Sequence, residues 1–341
     1  MTLVQFRGQP MTNHIISTHQ FSDRQALLEL FRKADACKRG DYQLIPWGGH
    51  FIHSNYVFFV LFYEPSTRTR FSFETAILKL GGQVVSSESA AQFSSAIKGE
   101  SLEDTIRVLA EYQPTAIILR HPVRGAAERA VHALPPDSGI SIINAGDGDG
   151  QHPTQSILDA YTIFKEVDRL DNLQIALVGD CKYSRTIHSL IHLLKYSQKI
   201  TFHLVAPKEL TLPQEYLDIL NVYRIPYISY QDVRMLPKDI DIVYATRIQT
   251  ERLEKNKPYR WTEDWINCRI DTEWAETLKP EARILHPLPR IGEINPNLDG
   301  NPRAAYFRQA GNGLPIRMAL LSEITKFPYP YCEPFLYINK P

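Results

Sequence analysis

Tyr56-Val57-Phe58-Phe59-Val60-Leu61-Phe62-Tyr63 runs through Glu64-Pro65 into Ser66-Thr67-Arg68-Thr69-Arg70. The first eight residues form an unbroken apolar and aromatic run, the pattern of a strand buried on both faces. After Pro65, apolar residues return at Phe71, Phe73, Ala76 and Ile77 with near-helical spacing, so Ser66 stands where a helix begins. A strand that turns into a helix through hydroxyls and arginines points backbone N–H groups and positive charge at one spot, which is how proteins hold phosphate. Taken alone, the same residues also describe a serine cap with two solvated arginines. The surrounding sequence decides between them.

On either side the strand and helix signals alternate. Ser22 with Gln25 has the spacing of a capping box for a helix carrying Leu27, Leu30, Phe31 and Ala34 on one face. Strand-like runs follow at Thr115–Leu119, Ile140–Asn144, Leu173–Val178, Ile200–Val205, Asp241–Tyr244 and Arg283–Leu285. Helical patterns lie between several of them, at Glu100–Ala110 and Ser184–Tyr196 for example. Such alternation predicts parallel sheets covered by helices. With 341 residues the expected architecture is two doubly wound α/β domains, meeting at a cleft near residues 146–155. Residues 1–20 show no usable periodicity and read as an arm. The proline- and aromatic-rich tail Phe327–Pro341 reads as an extended cover.

Composition narrows the classes. Lys plus Arg equals Asp plus Glu at 38 each, and no basic run occurs, which excludes a nucleic-acid binder or a partner of anionic membranes. Cys37, Cys181, Cys268 and Cys332 form no CxxC pair, so they read as reduced thiols of a cytoplasmic protein, with no zinc site. No apolar run is long enough for a transmembrane helix, and no signal-peptide pattern opens the chain.

Polar clusters fall at one strand end after another. Arg120 closes a strand before His121-Pro122. In Asn144–Gln155, three alternate glycines (Gly146, Gly148, Gly150) suit close backbone approach to something. There Pro153 suits a helix first turn, placing His152 at a positive helix end that favours a neutral imidazole able to polarise a carbonyl. Val178-Gly179-Asp180-Cys181-Lys182-Tyr183-Ser184-Arg185 again joins a strand to a helix, without the GxGxxG of dinucleotide sites. Thr246-Arg247-Ile248-Gln249 supplies an arginine fork suited to carboxylate. His286-Pro287-Leu288-Pro289-Arg290 exposes backbone carbonyls. Together these describe a site for a small, highly anionic ligand set: one phosphate and carboxylates.

The motifs at 66–70, 152–155 and 286–290 resemble the transcarbamoylases, and within that family the catalytic chains that use aspartate. Segments 144–155, 178–189, 246–253 and 306–320 support the resemblance, which spans about residues 22–325. It implies carbamoyl transfer from carbamoyl phosphate to L-aspartate, a step toward pyrimidines, with no cofactor and no metal. It implies a carbamoyl-phosphate-binding domain of residues 1–150 plus about 309–341, and an aspartate-binding domain of residues 151–308. It implies that Ser66, Thr67, Arg68 and Thr69 hold the phosphate. Thr69, Arg120 and His152 would meet the carbamoyl oxygen, and Gln155 with the carbonyls of Leu288 and Pro289 would accept from the carbamoyl amide. Arg185, Arg247 and Gln249 would orient aspartate. Ser94 and Lys98 match a loop that reaches into a neighbouring subunit's site, which implies a homotrimer. Glu64 and Arg252 match residues that hold the domains closed. Ile97 and Gly292 depart from the charged residues some relatives carry there. A regulatory chain or a dihydroorotase-like partner is left open. Ornithine as acceptor is disfavoured because Pro287-Leu288-Pro289 replaces the expected Cys-Leu-Pro turn. A catalytically silent scaffold is disfavoured because every motif residue is present.

Overall fold

The computed structural model describes residues 14–40, 56–87, 99–249 and 263–324. Helix α1 (Arg24–Arg39) precedes a first unit of strands β1 (Val57–Phe62), β2 (Gln83–Ser87), β3 (Ala116–His121) and β4 (Ser141–Asp147). Between them run α2 (Thr67–Lys79), α3 (Leu102–Glu111) and α4 (Ala126–Ala133). The sheet is wholly parallel, in the order β2-β1-β3-β4. Helix α5 (Pro153–Val167) leads to a second unit with β5 (Gln174–Val178), α6 (Arg185–Leu194), β6 (Thr201–Val205), α7 (Gln214–Val222), β7 (Tyr227–Tyr230) and β8 (Ile242–Ala245). It closes with α8 (Glu263–Ile266), α9 (Thr272–Thr277) and β9 (Arg283–Leu285). This sheet is also parallel, ordered β7-β6-β5-β8-β9. The last helix, α10 (Tyr306–Ile324), returns to pack on α1, α2 and α5.

The period-two rule explains why β1 is apolar throughout. Phe58, Val60 and Phe62 face one core with Phe73 and Ile77 of α2, whereas Phe59 and Leu61 face another with Ile106 of α3 and Val131 of α4. In β5 likewise, Ile175 and Leu177 join the first core, which therefore runs on from one unit into the other, and Ala176 and Val178 join a separate one. Chain order reverses between β1 and β3 in one sheet and between β5 and β8 in the other. Ligands bind at such switch points, beyond the carboxyl ends of the strands. The arginine-bearing clusters follow those four strands.

Three expectations need correction. The cap of α1 is Asp23, whose side chain accepts from the N–H groups of Gln25 and Ala26; the capping box lies one turn earlier, at Ser17 and Gln20. Asp23 prevails because its carboxylate reaches two orphan N–H groups at once. Residues 14–20 are no free arm: Ile15 is buried and bridges to Ile143, and Thr18–Phe21 form a short 3-10 helix against α5 and α6. Strands β2 and β7 were not expected, since each is a largely exposed sheet edge without an apolar run. Ser94, Ile97, Lys98, Arg252, Cys332 and the tail Phe327–Pro341 lie outside the described residues. Among those described, no helix is long and apolar enough to cross a membrane.

Candidate active site

Helix α2 starts at the carboxyl end of β1, and its cap Ser66 makes no side-chain capping hydrogen bond. The first N–H groups of the helix and the Ser66 hydroxyl are thus left to serve a ligand. Thr69 is buried one turn in. Burial, and then the Arg247 charge, lower the Arg68 pKa from its ordinary value. An anion between these guanidiniums would relieve that repulsion.

At the end of β3, Arg120 donates through Nη1 to the Ala145 carbonyl at 3.1 Å, and its Nη2 lies 3.5 Å from Glu64 Oε2. Arg185, the first residue of α6, donates through Nη1 to the Gly148 carbonyl at 2.7 Å and to the same Glu64 oxygen at 3.3 Å. One carboxylate of the first unit therefore holds an arginine from each unit. The expected close approach at the glycines is to the protein itself. Gly146 has φ +120°, and a Cβ there would lie 3.0 Å from Arg120 Nη1 and 3.2 Å from Arg185 Cζ. A Cβ on Gly148 would strike the Pro122 carbonyl oxygen at 2.4 Å.

His152 caps α5 through its backbone position; its imidazole makes no capping bond, and its N–H donates to Ser189 Oγ at 3.0 Å. Burial holds its pKa well below the usual histidine range, helped by the charges of Arg120, Arg185 and Arg317. The imidazole is neutral, as expected, though desolvation is the leading cause and not the helix end. Gln155 donates its Nε2 to Asp159 Oδ1 at 2.8 Å, which leaves its carbonyl oxygen as an acceptor. Gln249 is held from behind, its N–H donating to Asp180 Oδ2 at 3.2 Å. Asp180 also accepts from the N–H groups of Lys182 and Tyr183, and so ties the turn after β5 to the segment after β8. Beyond β9, His286 accepts from the Leu288 N–H at Nδ1 (2.7 Å) and donates from Nε2 to Glu293 Oε1 (2.7 Å). This fixes the Leu288-Pro289 turn against the site.

All the expected substrate-binding residues within the described segments line one cavity of about 540 Å³, with Glu64 just outside its lining. Ser66, Thr67, Arg68, Thr69 and Arg120 come from the first unit, Arg185, Arg247, Gln249, Leu288 and Pro289 from the second, and His152 and Gln155 from the start of α5 between them. Among the described residues, five arginines line it and no carboxylate does, so it suits a multiply anionic ligand set. Three residues escaped the sequence reading. Arg317 is buried in α10, donates to Ser72 Oγ at 2.8 Å, and stacks its guanidinium 4.9 Å from the Phe73 ring centroid. Gln309 lines the cavity, and Asp159 lies buried behind it. Arg317 and Asp159 each had a sequence signal in a lone polar residue on an apolar helical stretch, as in Leu314-Pro315-Ile316-Arg317-Met318, whereas Gln309, next to Arg308, had none. Among the described residues, no cluster of three or more His, Cys, Asp or Glu stands ready for a metal ion.

Fold and site define a two-domain α/β protein with a cationic cleft between its domains. Residues 13–165 match the family model "Aspartate/ornithine carbamoyltransferase, carbamoyl-P binding domain", and residues 171–324 match "Aspartate/ornithine carbamoyltransferase, Asp/Orn binding domain". The chain belongs to the aspartate/ornithine carbamoyltransferase family. It is 42% identical to the aspartate carbamoyltransferase catalytic subunit of Archaeoglobus fulgidus over 92% of this chain and 99% of that one. It is 43% identical to the chloroplastic aspartate carbamoyltransferase of Oryza sativa over 90% of this chain and 83% of the relative. Among solved structures, aspartate transcarbamoylase of Trypanosoma cruzi in complex with carbamoyl phosphate superposes with a TM-score of 0.81 at 35% identity, covering 91% of this chain and 94% of that chain.

Proposed function

We propose that this chain transfers the carbamoyl group of carbamoyl phosphate to the amine of L-aspartate, giving N-carbamoyl-L-aspartate and phosphate. The observation that carries this is the shared cavity. A helix start with serine, threonine and arginine faces a neutral buried histidine and, across the cleft, Arg185, Arg247 and Gln249. The phosphate sits on Ser66, Thr67, Arg68 and Thr69, and the aspartate carboxylates pair with Arg185 and Arg247, beside Gln249. Thr69, Arg120 and neutral His152 donate to the carbonyl oxygen. When the aspartate nitrogen attacks the carbamoyl carbon, that oxygen becomes an oxyanion, and these three groups stabilise it. The bond from carbon to the bridging phosphate oxygen then breaks, its electron pair leaves with the phosphate, and the phosphate accepts the amine proton. Arg68 offsets the charge gathering on that leaving group. Gln155 and the carbonyls of Leu288 and Pro289 accept from the carbamoyl NH2. The product enters pyrimidine synthesis.

The working division is residues 1–150 with about 309–341 for carbamoyl phosphate, and 151–308 for aspartate. Packing of α10 on α1 and α2 supports joining its residues to the first unit. The functional unit is a homotrimer, with Ser94 and Lys98 supplied to each site by the neighbouring chain. Phe71 and Leu78 lie two turns apart on one face of α2, beside edge strand β2, and stay exposed with Val85 of that strand, which supports a covered face there. The buried thiols of Cys37 and Cys181, which are in no disulfide, support a cytoplasmic setting. The deciding assay is carbamoyl transfer by the purified chain with aspartate and ornithine side by side. Turnover with aspartate alone is expected. Turnover with ornithine alone would refute the acceptor assignment, and none with either would point to a scaffold.

A further inference from the structure

Behind the cavity wall, Asp159 of α5 is fully buried and joins three elements. Its Oδ1 accepts from Gln155 Nε2 at 2.8 Å and from Gln309 Nε2 of α10 at 2.7 Å, and its Oδ2 accepts from the Tyr244 hydroxyl of β8 at 2.6 Å. The other end of Gln309 continues the chain, its Oε1 accepting from the His286 N–H at 2.7 Å. His286 in turn accepts from the Leu288 N–H. A carboxylate can only accept, so it dictates which end of each glutamine amide faces it. Gln155 must then show its oxygen to the cavity, and Gln309 must show its oxygen to His286.

We propose that Asp159 is a positioning residue that selects the transferred group by its NH2. It locks Gln155, and through Gln309 and His286 the Leu288-Pro289 carbonyls, into one rigid set of acceptors. This rests on the reading that these oxygens meet the carbamoyl amide. A preoriented set of acceptors gains from a ligand with N–H donors and is left unpaired by one without them. If Gln155 could turn its amide over, it would present a donor to a donor, and that distinction would fade.

The test compares kcat/KM for carbamoyl phosphate with that for acetyl phosphate, which carries a methyl group where the substrate has NH2. The ratio is internal to each preparation and does not depend on the fraction folded. In Asp159→Leu the preference for carbamoyl phosphate should fall by about tenfold or more. Asp159→Asn should keep it within about threefold, because its Oδ1 still accepts from both glutamines while the Tyr244 hydroxyl turns to accept from Nδ2. Gln309→Leu breaks the second arm from another helix and should lower the ratio as well, which preserves the test if Asp159→Leu does not fold. An unchanged ratio in Asp159→Leu or Gln309→Leu, with both rates reduced alike, would mean a mere structural brace and overturn the proposal. An Asp159→Asn that loses the preference as fully as Asp159→Leu would overturn it too. Gln155→Leu separates the two levels: an unchanged ratio there removes the acceptor role itself. A collapsed ratio there beside an intact one in Asp159→Leu overturns only the part given to Asp159.

Discussion

Arg247 follows β8 by two residues and lines the cavity with Arg68, close enough for its charge to lower the Arg68 pKa. Truncating it removes a charged pair to one substrate only. Arg247→Ala should raise KM for aspartate about 100-fold and that for carbamoyl phosphate by less than about threefold, judged by initial rates with the other substrate saturating. Equal rises would sink the carboxylate assignment. A second residue-scale expectation concerns pH. Burial lowers His14 and His188 from 6.5 to about 4, and His192 to about 3. Between those values and 6.5 the unfolded chain takes up protons that the folded chain refuses, so stability present above pH 6.5 is lost as pH falls. His14 alone accounts for about 3 kcal/mol by pH 4. Its Nδ1 accepts from the Ile142 N–H at 3.0 Å, a bond that protonation breaks. The urea midpoint should therefore drop from pH 7 to pH 5, and His14→Gln should flatten that slope; a flat wild-type profile would refute it. Asp159 opposes this in part, its carboxyl being pushed up to about 6 by burial, so that its ionisation costs stability as pH rises from about 4 to about 6.

Among the elements, the carboxyl end of β4 shows how backbone places charge. Gly146 is in a conformation that side chains rarely adopt, with Arg120 and Arg185 packed over it. Gly146→Ala should cost about 1–3 kcal/mol in stability and displace both guanidiniums. We expect kcat/KM to fall by well over tenfold, about as much as from a misplaced positioning group, with the fold retained by circular dichroism. Near-normal activity would show that the arginines tolerate the shift. Elements with apolar runs, such as β1, β4 and β5, were legible because burial on both faces leaves one residue class. Edge strands β2 and β7 were not, since their exposed faces carry no such pattern. The cap of α1 was missed by one residue because Ser22 and Asp23 both have capping chemistry, and only geometry decides between neighbours.

The whole molecule adds a prediction about assembly. If each site borrows Lys98 from the next chain, Arg68→Ala and Lys98→Ala chains are each inactive alone. Mixed and refolded together, they should regain roughly a quarter of wild-type activity, since half the sites have an intact recipient and half of those an intact donor. No recovery in mixed oligomers would place Lys98 within its own chain's site or outside any. Mass measurement by light scattering would check the trimer directly. The continuous core beneath both units makes each chain a stable frame for such sharing.

By itself the sequence determined the parallel α/β class, the two-unit layout, and most of the polar residues that line the cleft, Arg317 and Gln309 excepted. Those follow from local rules: apolar runs make buried strands, and a strand end running into a helix start exposes N–H groups whatever lies elsewhere. Tertiary structure alone decided which of the strand ends meet, because that depends on chain order within each sheet. It also decided why His152 is neutral, since desolvation is a property of the packed surroundings. The link from Asp159 to Gln309, 150 residues apart, was beyond any local pattern. A hydrogen bond across that separation exists only once α5 and α10 have packed.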